Sequence, residues 1–264
     1  MLQLKHVSVT FNKGTPNEVR ALQGLSLDVK HGDFITVIGA NGAGKSTLFN
    51  AVAGTIPIDR GRIILNGKDV TNQPEYRRSL DIGRVFQNPL IGTCPGLTIR
   101  ENLSLAAMRG KYLGLMPGVR RKNREWFYHL VKSVNLGLEN RLDTDVALLS
   151  GGQRQAITLI MATMMKPKLL MLDEHTAALD PNAGAQVIDL TVKLAEEYDL
   201  TVIMITHSMH QAVGFGNRVI MMNRGDVLFD ASGAERQSLS YHDLIERFRN
   251  LQTGDELSDR AVLS

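Results

Sequence analysis

An α/β protein is predicted, in which a parallel β-sheet is joined by crossover helices, preceded by antiparallel strands and interrupted by a helical insertion. Three observations predict it. An apolar run, Phe34 to Ile38, leads through the glycine-rich stretch Gly39-Ala40-Asn41-Gly42-Ala43-Gly44-Lys45-Ser46-Thr47 into a helical pattern, Leu48 to Ala53. Two later apolar runs, Lys168 to Leu172 and Thr201 to Ile205, are separated by one helical pattern, the spacing of a strand, helix, strand unit. Between these regions, residues 88–165 change texture to glycine, proline and long helical periods.

In chain order, Leu2 to Val9 and Leu25 to Val29 alternate apolar with polar residues, as half-buried antiparallel strands do. Phe11 closes the first of them, just before Asn12-Lys13-Gly14. Arg62 to Leu65 with Asn66-Gly67 reads as a strand and its turn, and Asp81 to Phe86 as a short strand ending at Gln87. Helices are predicted over Thr98 to Arg109, Lys122 to Leu136 and Gln153 to Met165. Thr98-Ile99-Arg100-Glu101 has the form of a capping box. The run 168–172 ends in Asp173-Glu174 and the run 201–205 in Thr206-His207, as buried parallel strands deliver polar residues to their C-terminal edge. Asp180-Pro181 starts a helix running to about Glu197. Arg218 to Met222 and Asp226 to Asp230 form a closing strand pair, and Ser240-Tyr241-His242-Asp243 signals one more helix before a polar tail.

The 264 residues, 43% hydrophobic, suffice for one large domain with an insertion. The longest apolar candidate, Ala156 to Met165, is too short to cross a membrane and contains threonines. The N-terminus lacks a basic segment followed by an apolar signal core, which predicts a cytosolic protein. Cys94 is the only cysteine, which excludes an intrachain disulfide and argues against a cysteine zinc site. A net charge of +3 gives no support to nucleic acid as a partner. The basic segments Arg109-Gly110-Lys111 and Arg120 to Arg124, interspersed with Tyr112, Leu113, Leu115, Met116 and Trp126, read either as a solvated charge run or as a contact for anionic lipid or a membrane partner.

Gly39 to Thr47 fits G-x-x-x-x-G-K-[ST], the loop of P-loop nucleotidases. Gly39, Gly42 and Gly44 let successive N–H groups, together with that of Asn41, converge on phosphate oxygens. The following helix adds positive partial charge at its N-terminus. Lys45 reaches the β and γ phosphates, Ser46 offers a hydroxyl to Mg²⁺, and Thr47 completes the loop. Asp173 can then hold Mg²⁺ or its water, while Glu174 can polarise a water for attack on the γ-phosphorus. Phe11 is open to two roles, packing at a sheet edge or stacking on a nucleotide base.

Leu149-Ser150-Gly151-Gly152-Gln153, followed by Arg154-Gln155, resembles the signature of the ATP-binding cassette (ABC) family, and the other family motifs stand in family order from Met1 to about Asp230. The resemblance implies a P-loop NTPase (RecA-like) parallel-sheet core with an N-terminal antiparallel β subdomain and an inserted α-helical subdomain. It implies one ABC ATPase domain over 1–230, with 1–87 and 166–230 as the nucleotide-binding core and 88–165 as the helical signature subdomain. Residues 231–264 are then a short C-terminal helix and tail. By the same resemblance Phe11 stacks on adenine, Gly39 to Thr47 is Walker A and Leu169 to Asp173 Walker B. Gln87 is the Q-loop glutamine and a Mg²⁺ ligand with Ser46 and Asp173. Glu174 is the catalytic base, Ala178-Leu179-Asp180 the D-loop and His207 the switch histidine. Ser150, Gly151, Gly152 and Gln153 act on the ATP of a partner copy in a head-to-tail dimer. One departure is His175-Thr176 where the family usually has Pro-Thr, read as neutral.

The resemblance further implies an ATPase subunit, with ATP and Mg²⁺ as cofactors, that pairs with itself or a homologous subunit and with transmembrane permease subunits. Glu101-Asn102-Leu103-Ser104 and the long basic connection before Trp126 look most like bacterial importers of amino acids or small solutes served by an extracytoplasmic solute-binding protein. Such a subunit lies peripherally on the cytoplasmic face of the inner membrane. The alternatives are an exporter of lipoproteins, drugs or peptides, or a cassette ATPase outside transport.

Overall fold

A computed structural model describes residues 1–111, 118 and 123–249. Parts of the basic segment (112–117 and 119–122) and the polar tail lie outside the described residues.

Strand β1 (Leu2–Phe11) pairs antiparallel with β2 (Val19–Val29), and its apolar positions, such as Leu2, Leu4, Val7 and Val9, are buried on one face. After β3 (Phe34–Gly39) the chain enters α1 (Lys45–Ala53). β4 (Arg60–Leu65) and the two-residue β5 (Lys68–Asp69) then extend the first sheet, in the order β2-β1-β4-β5. A single turn of helix, α2 (Glu75–Arg78), leads to β6 (Ile82–Val85). Arg78 is buried, and its guanidinium donates to the carbonyls of Ala51 and Val52, the last turn of α1. A cation there satisfies orphan carbonyls and complements the negative end of the helix.

The inserted helices are α3 (Ile99–Ala107), α4 (Arg124–Lys132) and α5 (Gly151–Thr163). Thr98 and Glu101 form the capping box that the sequence signals. These helices enclose a core of their own, centred on Leu103, Phe127, Val131, Ile157 and Ile160. β7 (Leu169–Asp173), α6 (Pro181–Glu197) and β8 (Thr201–Ile205) make the predicted crossover unit. Every residue of β8 is buried, as both faces of a parallel sheet must be when helices cover them.

A short α7 (Met209–Gly214) follows, then β9 (Arg218–Asn223), β10 (Asp226–Ser232) and α8 (Gly233–Ser238). β9 turns back on β10 as a hairpin but also runs parallel to β3, a long-range pairing that places it inside the large sheet. That sheet has the order β10-β9-β3-β8-β7-β6, so β3, β8 and β7 end side by side and β6 completes the edge. Residues 241–249 are helical, opened by reciprocal hydrogen bonds between Ser240 and Asp243.

Candidate active site

The glycine loop leaves the C-terminal end of β3, between β9 and β8. Gly44 sits at φ +98°, and a Cβ there would stand 2.6 Å from the Ala21 carbonyl, so only glycine fits. It is also the N-cap of α1 and supplies no side-chain cap, which leaves the helix N-terminus with free N–H donors. Lys45 is buried at 6% exposure, and its ammonium donates to the carbonyls of Gly39 (2.8 Å) and Ala40 (3.0 Å). An ammonium has three donors, so one remains for a ligand above the loop. Burial lowers the Lys45 pKa, and the nearby Glu174 and Asp173 carboxylates oppose that shift. Ser46 is exposed on the first turn of α1, with Thr47 half-buried beside it and Asn41 exposed in the loop.

The strand ends bring the acids to the same place. Asp173, half-buried at the end of β7, has its pKa raised by desolvation, against which the Arg84 guanidinium 3.7 Å away pulls down. Glu174 adopts a positive φ of 47°, uncommon for a residue with a side chain, and its N–H is held by the Ile205 carbonyl of β8. That turn aims its carboxylate at His207, whose Nε2 lies 2.6 Å from Oε1. Glu174 is 15% exposed and His207 47%, so the pair opens to solvent on the histidine side. The structure thus brings Lys45, Asp173, Glu174 and His207 together. Gln87 is exposed just past β6, beside the Asp173 end of β7. The Ser46 hydroxyl, Asp173 carboxylate and Gln87 amide oxygen are hard oxygen donors, a set that suits Mg²⁺.

Phe11 is 40% exposed and directly opposite Val19, itself 55% exposed, so core packing does not account for it. The pair leaves an apolar step at the end of β1.

Ser150 to Gln153 stand apart on the inserted helices. Ser150 is the N-cap of α5: its Oγ accepts from the Gln153 N–H (3.3 Å), and the Gln153 side chain accepts from the Ser150 N–H (3.2 Å). The N–H groups of Gly151 and Gly152 fall in the first turn, where an α-helix leaves its donors unpaired. A Cβ on Gly152 would come 2.8 Å from the Ala183 Cβ, and one on Gly151 3.2 Å from Leu179. The glycines therefore also serve close packing of α5 on the start of α6. Asp180 caps α6, its carboxylate accepting from the Ala183 N–H.

Three features escape sequence reasoning. Gln211 bridges the segments that follow β7 and β8, accepting from Thr206 Oγ1 and donating to Thr176 Oγ1. His175 is 2% exposed, hydrogen-bonded to Thr191 Oγ1 of α6, and its pKa is pushed down to about 4 by burial. It is a neutral packing residue turned into the core. Arg84 links β6, α1 and β7. None carries a local signal, because the contacts that give each its place, to Thr176, Thr191 and Asn50, reach residues on other elements.

A glycine loop between a central parallel strand and an uncapped helix, with acids delivered by the neighbouring strand, defines a P-loop NTPase fold. Comparison with known proteins places it more closely. The family model for ABC transporters matches residues 22–177. A tyrosine transport ATP-binding protein of Clostridioides difficile is 44% identical over 94% of this chain and 98% of its own. The energy-coupling factor transporter ATP-binding protein EcfA1 of Streptococcus pyogenes serotype M5 is 35% identical over 86% of this chain and 77% of its own. Among solved structures, a dimeric post-hydrolysis state of the cassette MJ0796 bound to ADP and Pi has a TM-score of 0.74 at 30% identity, covering 88% of this chain and 98% of that one. The chain belongs to the ABC transporter family and is an ATP-binding, ATP-hydrolysing cassette of a transporter. Among its described residues no helix is long and apolar enough to cross a membrane.

Proposed function

We propose that this cassette powers import of an amino acid or another small solute by hydrolysing ATP between two copies arranged head to tail. The observation that carries the hydrolytic part is the Glu174–His207 pair at 2.6 Å beside Lys45. Phe11 stacks on the base. The loop N–H groups of Gly39, Asn41, Gly42, Gly44 and Thr47, with Lys45, hold the phosphates. Ser46, Asp173 and Gln87 hold Mg²⁺, which when bound neutralises phosphate oxygens. Glu174 accepts a proton from the attacking water while His207 fixes the carboxylate, and ADP leaves as the bond to the γ-phosphorus breaks.

The reaction site takes its second wall from a partner copy. Ser150, with its hydroxyl hydrogen still free to donate, and the N–H groups of Gly151 and Gly152 form an anion-binding corner in which Ser150 and Gly151 are exposed and Gly152 is buried, with Gln153 locked into its cap. Asp180 holds the segment that lies against those glycines. Residues 1–87 and 166–230 work as the nucleotide-binding core, and 88–165 as the subdomain that presents the signature. Closure of the dimer moves the segment after Gln87, where Leu90 and Ile91 are exposed at 43% and 65%, and this surface receives the transmembrane permease.

Import of an amino acid draws support from the tyrosine transport relative, and the energy-coupling factor relative widens the field to other small solutes. The complex then lies on the cytoplasmic face of a bacterial inner membrane, and an extracytoplasmic solute-binding protein completes it. Purification of the tagged chain from detergent-solubilised membranes tests this. Recovery of a permease with a solute-binding protein supports import, whereas recovery of a permease with an outward-directed accessory protein, or of soluble partners only, contradicts it.

A further inference from the structure

Arg84 has contacts that its place on an edge strand does not require. Its Nη2 donates to Asn50 Oδ1 at 2.8 Å, and Asn50 lies one helical turn below Ser46 on α1. The same nitrogen stands 3.7 Å from Asp173 Oδ2, with both side chains largely buried at 13% and 18% exposure. The guanidinium carbon is 4.6 Å from the centre of the Phe86 ring, the residue immediately before Gln87. Its Nε is buried without a hydrogen-bond partner. A buried donor left unpaired costs stability, so the side chain is held where its other contacts want it.

We propose that Arg84 is a positioning residue that preorganises the Mg²⁺–ATP site, because one guanidinium ties together the three elements that carry Ser46, Asp173 and Gln87. The inference rests on the Mg²⁺–ATP reading of the site proposed for this cassette. At 3.7 Å the contact to Asp173 is too long for a hydrogen bond, so Arg84 steadies the carboxylate by charge and leaves its oxygens free to ligate. The short bond goes instead to Asn50, which fixes α1 against β6. Stacking on Phe86 fixes the exit of β6, where the third ligand stands. Groups that orient metal ligands in this way change metal affinity about 10–100-fold when removed.

The test is binding of a fluorescent ATP analogue to the full chain in a Glu174→Gln background, with Mg²⁺ titrated from EDTA upward. In Arg84→Met, which keeps the packing and removes the charge, the half-saturating Mg²⁺ concentration rises about tenfold, while affinity in EDTA stays within twofold. Asn50→Ala shifts Mg²⁺ dependence in the same direction by less, and Arg84→Lys recovers part of the loss. An unchanged or lowered Mg²⁺ requirement, or an equal loss with and without Mg²⁺, overturns the inference. If Arg84→Met does not fold, Asn50→Ala decides: no shift overturns it. Absence of any Mg²⁺ dependence in the parent would sink the underlying site reading as well.

Discussion

At Gly39–Thr47 the chain surrounds its candidate nucleotide site with its own charges: Lys45 is buried between loop carbonyls, two carboxylates stand near it and Glu174 is paired with His207. At Ser150–Gln153 no charged group among the described residues bonds to the segment, which is a helix N-terminus closed by its own capping box and packed glycine to side chain against α6. On the proposed function, the first region does the chemistry and the second receives an anion that another copy brings, so that a single chain holds two halves of a site rather than two sites.

Substitutions in the two regions should therefore separate hydrolysis from assembly. The largest effect is expected of Glu174→Gln, which keeps the hydrogen bond to His207 but removes the base. ATPase turnover should fall roughly 10²–10⁴-fold while ATP still binds and a dimer accumulates in sedimentation. Retained turnover would remove Glu174 from its role. Gly152→Val should act on the other region only, since a side chain there meets Ala183 at 2.8 Å. Stability should drop by about 1–3 kcal/mol and dimerisation should weaken, with ATP affinity of the monomer unchanged within twofold in calorimetry. A matching fall in monomer affinity would mean the two regions are not independent.

Phe11→Ala should cost about 1–3 kcal/mol of ATP affinity, by analogy with base stacking, and should leave the melting temperature unchanged because the ring is 40% exposed. A melting shift without an affinity change would return Phe11 to edge packing. The smallest effect is expected of Ser150→Ala, which removes the α5 cap for about 1 kcal/mol of stability and weakens ATP-driven dimerisation, read by sedimentation in the Glu174→Gln background.

The same contrast explains what could be read from the residues alone. Gly39–Thr47 is legible because its chemistry is contiguous: N–H groups, lysine and helix terminus come from nine successive residues. The acid-ended strand, the capping box at Thr98 and the Asp180-Pro181 helix start are legible for the same reason, each being a local pattern. Arg84 and Gln211 are not, since their meaning depends on β6 lying beside β7 and on two loops meeting across β7 and β8. Nor is the parallel pairing of β9 with β3, hidden behind the local hairpin with β10. His175, where the family usually has proline, reads as neutral in sequence. The structure gives it a buried partner, Thr191, that no spacing rule announces.

The claim that one site is assembled from two copies is tested most directly by mixing two defective chains. Lys45→Ala damages only the glycine loop, and Gly152→Val damages only the signature end. Each alone should be inactive in single-turnover ATP hydrolysis. A mixed dimer contains one site with an intact loop from one copy and an intact signature from the other. Mixing should therefore restore ADP formation, in proportion to the mixed dimer present. If the mixture stays as inactive as its components while mixed dimers are demonstrably formed, the two segments do not serve a shared site.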